Sequence, residues 1–249
     1  MARYDFRTPR LFVDAPLSAG AVVPLDRDAA NHLCNVLRLE RGDPVLLFNG
    51  RDGEWRGRLA AAGKRAAAVE LGEQTRMQPQ PNDLHYLFAP LKHARLDYVV
   101  QKAVELGASR LQPVLTRHTQ VARVNLERMR ANVIEAAQQC GVLAVSEVAE
   151  PVKLDAAIAD TARLLVFCDE DAALADPVAA LRAVAKDGVP PLAVLIGPEG
   201  GFAEEERAAL LKRANTVRLA LGPRVLRADT AAVAALTLVQ AVLGDWTTG

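Results

Sequence analysis

The chain has 249 residues, 30 Lys and Arg against 30 Asp and Glu, and hydrophobic and charged fractions of 51% and 24%. That composition is ordinary for a globular protein, and the charge balance argues mildly against binding RNA by bulk electrostatics. Cys34, Cys140 and Cys168 are scattered and show no CxxC spacing, which excludes a disulfide framework or a zinc site and reads as reduced thiols in a cytoplasmic protein. No apolar run approaches the roughly 20 residues that span a bilayer. The opening MARYDFRTPRLFVD lacks the apolar centre of a signal peptide.

Taken in order, the chain divides near residue 75. Asn31 to Leu39 reads as a helix with Asp28 as its cap, and Val45–Asn49, Glu54–Ala60 and Ala66–Leu71 read as short strands. The turns Asn49–Gly50, Asp52–Gly53 and Gly63–Lys64 separate them, a spacing that suggests a small β-barrel over residues 1–74. Residues 1–80 carry a net +2 and the remainder −2, and arginine dominates the first part: Arg3, Arg7, Arg10, Arg38, Arg41, Arg51, Arg56 and Arg58. A guanidinium fork suits phosphate, while a merely solvated arginine-rich surface is the plainer alternative. The polar, proline-bearing stretch 75–81 reads as a linker.

From residue 82 onward strands and helices alternate. Leu84–Ala89 is a strand, Leu96–Leu106 a helix ended by Gly107, and Leu111–Leu115 a strand. Asn125 can cap a helix to Cys140, with Leu126, Met129, Val133, Ala136 and Cys140 on one face. Leu164–Cys168 and Leu192–Ile196 suit strands buried on both faces. LIGPEGGFAEEE (195–206) then turns through Gly197, Pro198, Gly200 and Gly201 into a helix with glutamates in its first turn and Lys212 and Arg213 in its last. LGPRVLRADTAA (221–232) repeats that logic after the strand Val217–Leu221, with Asp229 or Thr230 as the helix cap. The alternation predicts an α/β domain over 82–249 with a mostly parallel sheet and a ligand at the strands' carboxyl ends. Neither GxGxxG nor GxxxxGK[ST] occurs, which removes the common dinucleotide and P-loop motifs.

The two Gly-Pro blocks resemble the last two blocks of SPOUT-class RNA methyltransferases, specifically the bacterial 16S ribosomal RNA uridine-N3 methyltransferases. HLCNVLRLERGD (32–43), QKAVELG (101–107) and EAAQQCG (135–141) are similar to that family's earlier blocks, in the same order. The resemblance implies a PUA-like RNA-binding barrel followed by a SPOUT domain whose C-terminal part forms a deep trefoil knot. It also implies S-adenosylmethionine bound in a bent shape, a homodimer, and 16S ribosomal RNA as partner, with no metal and no membrane.

On that resemblance Leu195, Ile196, Gly197, Glu199, Gly200 and Gly201 line one side of the cofactor, and Leu219, Leu221, Gly222, Val225 and Leu226 the other, with Asp169–Glu170 as a third wall. Methylation of uridine N3 removes an imide proton and leaves charge on the base, so a carboxylate and an arginine are needed. Arg224, Arg227 and Asp229 are the candidates; the alternative is that the arginines hold phosphate and Asp229 only caps a helix. Arg10, Arg38 and Lys102 are expected RNA contacts, although Lys102 and Glu105 also fit a surface i,i+3 pair. The chain departs from the family pattern at Ala228–Asp229, where threonine-glutamate is usual, at Val142, where arginine is usual, and at Arg117-His118-Thr119, where glutamate-arginine-serine is usual. A non-catalytic RNA-binding protein and an α/β enzyme holding a phosphate on its Gly-rich turn are the rival classes.

Overall fold

In the computed structural model, residues 5–63, 66–121, 123–173, 175–185 and 190–247 are described, so Arg3 and Lys64 lie outside them. The first unit begins with β1 (Arg10–Phe12), β2 (Val22–Leu25) and α1 (Arg27–Asn31), which runs on as a π-helical turn, His32–Val36. β3 (Pro44–Phe48), β4 (Glu54–Ala61) and β5 (Ala67–Arg76) follow. They form one sheet in the order β1-β3-β4-β5-β2, antiparallel except for β1 against β3. Three register shifts between β4 and β5 increase the local twist, so inward-facing Leu11, Val23, Val45, Leu59 and Val69 reach one core with Leu33.

The helix starts earlier than the sequence suggests. Asp26, not Asp28, is the cap, its carboxylate accepting the Ala29 amide at 2.7 Å. β5 continues through Thr75 and Arg76, because both side chains bond within the unit: Thr75 Oγ1 donates to Glu54 Oε1 at 2.8 Å, and Arg76 Nη1 to the Gly141 carbonyl at 2.9 Å. Residues 137–145 also belong to this unit. There Gln138 accepts the Phe12 amide at 2.8 Å, and the Leu143 carbonyl accepts from Gln78 at 3.2 Å.

The second unit comprises residues 82–136 and 146–249. Its elements are β6 (Leu84–Phe88), α2 (His93–Glu105), β7 (Arg110–Leu115) and α3 (Leu126–Cys140, whose end joins the first unit). Then come β8 (Glu147–Val148), β9 (Val152–Lys153), α4 (Leu154–Ala157), β10 (Leu164–Cys168) and α5 (Pro177–Val184). β11 (Leu192–Ile196), α6 (Glu204–Lys212), β12 (Thr216–Leu219) and α7 (Ala228–Leu243) complete it, followed by a 3₁₀ turn, Asp245–Thr247. The sheet is parallel, in the order β12-β10-β11-β6-β7-β8, with β9 pairing β7.

Every residue of β10 and β11 is buried, as their unbroken apolar runs require. β11 lies on one side of β10 and β12 on the other, so the chain crosses back over β10 between them. Such a reversal opens a crevice beyond the carboxyl ends of the strands. α7 is anchored by the fully buried Gln240, which donates to the Leu106 carbonyl and accepts from Asn82 and from the Asp245 amide. Gly107 has φ +79, the left-handed helix stop expected at that position.

Candidate active site

Three parallel strands end side by side: Cys168 of β10 is in register with Ile196 of β11 and with Leu219 of β12. The loops that leave them enclose a cavity of about 650 Å³, within the range of small-molecule sites. Its walls are Cys168–Glu170 and Ala172, Ile196–Gly201, and Ala220–Ala228 with Ala231.

The first Gly-Pro loop is closely held. Phe202 folds back onto Phe167, ring centroids 5.2 Å apart at 78°, and a Cβ on Gly197 would stand 2.6 Å from the Phe202 ring. Gly201 has φ +70, and its amide donates to the Pro198 carbonyl at 2.9 Å. A Cβ there would also run into the Glu170 carboxylate. The second loop is open. Gly222 has φ +95 with nothing within 4 Å of an added Cβ, so its glycine is required by backbone conformation alone. Val225 stands 87% exposed.

The third wall is organised by Asp169, whose side chain is wholly buried. Its Oδ2 accepts from Arg218 Nε at 2.8 Å and Nη2 at 2.7 Å, while Oδ1 accepts the Asp171 amide at 3.2 Å. Arg207 touches the neighbouring acids as well: Nε is 3.3 Å from Asp169, and Nη2 is 3.3 Å from Glu170 and 2.8 Å from Asp171. Asp169 thus joins the loop after β10 to α6 and β12. Burial and the adjacent Asp169 charge push the Cys168 thiol up to about 12, so it stays protonated at neutral pH.

The expected cofactor residues divide. Ile196, Gly197, Glu199, Gly200 and Gly201, with Leu221, Gly222, Val225 and Leu226, line the cavity. Leu195 and Leu219 do not: both are buried, Leu195 in the core with Leu87 and Phe167. Arg224 and Arg227 are exposed at the rim and make no side-chain hydrogen bond or ion pair among the described residues. α7 starts at Ala228 with Arg227 in the cap position, so neither Asp229 nor Thr230 is the cap. Asp229 lies in the first turn, its Oδ1 accepting the Thr230 amide at 2.9 Å and its Oδ2 4.0 Å from Arg95 Nε.

Arg95, which the sequence reading passed over, also reaches Glu199 at 3.3 Å. Asp169 and Glu170 line the cavity as the third wall expected of them, but the ties of Asp169 to Arg207 and Arg218, and the contact of His118, were missed; an arginine inside the four-residue strand TVRL was the one local signal. Among the expected RNA contacts, Arg10 is corrected. It is buried against Glu54, Nε to Oε2 2.6 Å, with side chains 4% and 3% exposed, and serves the first unit's fold. Arg51, Arg56 and Arg58 likewise bond Asp14, Asp5 and the Gly42 carbonyl. Arg38 is exposed at φ +58, and Lys102 bonds Glu105 at 2.7 Å.

A phosphate on the first loop is disfavoured by the start of α6. Glu204, Glu205 and Glu206 crowd that first turn, and Glu206 Oε2 already accepts the Ala203 amide at 3.0 Å.

Comparison with known proteins agrees with this geometry. A family model described as an RNA methyltransferase domain matches residues 78–240, and one described as an RNA methyltransferase PUA domain matches residues 25–72. The chain is 32% identical over 243 residues to the ribosomal RNA small subunit methyltransferase E of Synechocystis, covering 94% of this chain and 78% of the relative. It is 29% identical to that of Rickettsia conorii, covering 93% and 94%. The solved structure of the Neisseria gonorrhoeae enzyme of that name, bound to S-adenosyl methionine, is 27% identical with a TM-score of 0.84, covering 96% of this chain and all of the other.

Proposed function

The chain belongs to the ribosomal RNA small subunit methyltransferase E family, an RNA methyltransferase with a PUA-like N-terminal domain, and on that premise we propose that it methylates N3 of a uridine in 16S ribosomal RNA using S-adenosylmethionine. One observation carries the reading: three loops from adjacent parallel strands enclose one cavity, with two arginines at its rim that pair with no side chain among the described residues.

The cavity fits the cofactor. Ile196, Leu221, Val225 and Leu226 supply apolar walls, the glycines allow backbone approach, and Glu170 and Glu199 offer negative charge to a cation. When bound, S-adenosylmethionine supplies a methyl group on an electron-poor sulfonium. The protein's part is to seat the uracil in line with that methyl and to manage one proton. Loss of the N3 proton to a carboxylate, with Asp229 the candidate, puts negative charge on the base that Arg227 and Arg224 are placed to stabilise. The N3 lone pair then forms the new N–C bond as the C–S bond breaks. Arg95 pairs with Glu199 at 3.3 Å and stands 4.0 Å from Asp229.

The same proposal includes the finer points. The first unit, residues 1–81 with 137–145, is the RNA-binding module, the second is the methyltransferase domain, and Arg38 and Lys102 contact RNA. The C-terminal part forms the trefoil knot, in keeping with the chain's passage over β10 between β11 and β12. The protein acts in the cytoplasm as a homodimer on the small ribosomal subunit, and the exposed Val225 suits a loop covered by a partner or substrate. Among the described residues no helix is long and apolar enough to cross a membrane.

The test is a calorimetric titration with S-adenosylmethionine, followed by methylation of 16S ribosomal RNA and mapping of the product by mass spectrometry. Saturable binding and a single N3-methyluridine are expected; no cofactor binding, or methylation only on a ribose, overturns the reading.

A further inference from the structure

The loop after β7 carries Arg117-His118-Thr119, and it lies against the first Gly-Pro loop. His118 Nδ1 is 3.2 Å from the Gly200 carbonyl oxygen and 3.1 Å from that of Gly201. Carbonyl oxygens only accept, so Nδ1 must carry a hydrogen, which fixes the protonation of that nitrogen in either charge state of the ring. A Cβ on Gly200 would lie 3.4 Å from His118 Cβ, so the ring's own backbone sits close to the loop. An independent tie runs beside it: Glu206 accepts the Arg117 amide on Oε1 at 2.8 Å and the Ala203 amide on Oε2 at 3.0 Å. One carboxylate therefore holds both loops in register while the imidazole fastens the glycines.

We propose that His118 is a positioning residue for the cofactor, holding the Gly200–Gly201 backbone in its binding shape through Nδ1–H. This rests on the S-adenosylmethionine reading above. The side chain does not line the cavity, so it acts through the loop rather than on the ligand. Gly201 has no side chain of its own to fix its left-handed conformation, and an external donor narrows the shapes that the loop samples before the ligand arrives. Removing one solvent-exposed hydrogen bond of this kind is expected to weaken binding roughly three- to tenfold.

The test compares His118→Ala, His118→Asn and His118→Gln in the full chain. Asparagine places an N–H near the position of Nδ1, glutamine near that of Nε2. Hydrogen exchange over residues 197–203 in the ligand-free protein reads the contact, and calorimetric titration with S-adenosylmethionine reads its consequence. Faster loop exchange and weaker binding in the alanine and glutamine variants, both restored by asparagine, support the proposal. Unchanged exchange in His118→Ala, or equal losses in all three variants, overturns it. A wild-type loop that is protected as expected in a protein that takes up no S-adenosylmethionine supports the contact and overturns the cofactor reading instead.

Discussion

Replacing Asp169 with Asn tests whether one buried carboxylate holds the cavity together. The wild-type Oδ2 serves two guanidinium groups and Oδ1 serves a backbone amide. An amide of the same size can turn its oxygen to Arg218, but its NH₂ then faces the Asp171 amide, donor against donor. Removing one partner of a buried ion pair costs about 3–5 kcal/mol. Here the side chains of Arg207 and Arg218 keep 22% and 32% exposure, so each can turn toward water, and about 2–3 kcal/mol is the better expectation. A domain with roughly 5–15 kcal/mol of stability survives that loss. With a urea dependence near 2 kcal/mol per molar, the unfolding midpoint falls by about 1 M. Cofactor affinity should fall too, because three walls share this group. Circular dichroism through a urea series and a calorimetric titration measure both, with Glu170→Gln as the exposed control expected to shift stability by less than about 1 kcal/mol. An Asp169→Asn protein with wild-type midpoint and affinity would refute the reasoning.

Gly201→Val and Gly222→Val should both remain folded and lose S-adenosylmethionine binding, since a branched side chain is excluded from the left-handed backbone region that both occupy; unaltered calorimetric affinity in both removes these turns from the site. Arg10→Ala should destabilise the first unit by about 3 kcal/mol without changing RNA affinity per folded molecule, whereas Arg38→Ala should weaken RNA binding and flatten its salt dependence by about one counterion, read by filter binding across a salt series. Arg227→Ala should slow single-turnover methylation at saturating enzyme and cofactor far more than it weakens RNA binding, because an interaction stronger in the transition state appears in the rate; a wild-type rate leaves Arg227 as a phosphate anchor. Ellman's reagent at pH 8 should label exposed Cys140 quickly and Cys168 only on unfolding, as a buried thiol with its pKa near 12 carries almost no thiolate there.

Periodicity found what periodicity can see. The unbroken apolar runs of β10 and β11 and the stop at Gly107 are local properties, and each element lies where the sequence placed it. The two-residue strands β8 and β9 are too short to show a period. α5 did carry a signal, Asp176 as cap followed by Pro177, but no long apolar stripe accompanied it. Pairings across long sequence separations were invisible: Arg218 meets Asp169 across 49 residues and Arg10 meets Glu54 across 44. Counting arginines therefore overstated the free cationic surface of the first unit, where several are spent on its own carboxylates and carbonyls.

The two Gly-Pro turns look alike in sequence, yet their glycines answer to different causes. Gly197 has to be small because Phe202 lies over it, a packing demand of the core beneath the cavity. Gly222 faces open space and is fixed only by its backbone angle. The first loop is further tied by Glu206 and His118, while the second carries an almost fully exposed valine between two arginines that have no side-chain partner among the described residues. The cavity therefore has one wall tied to the fold and one that stands open among the described residues. The rigid wall suits a ligand held by backbone groups, and the open one, with its cations, suits a large anionic substrate that completes the site on arrival. A glycine count cannot separate these two cases, because both substitute the same residue for opposite reasons: crowding in one and backbone conformation in the other.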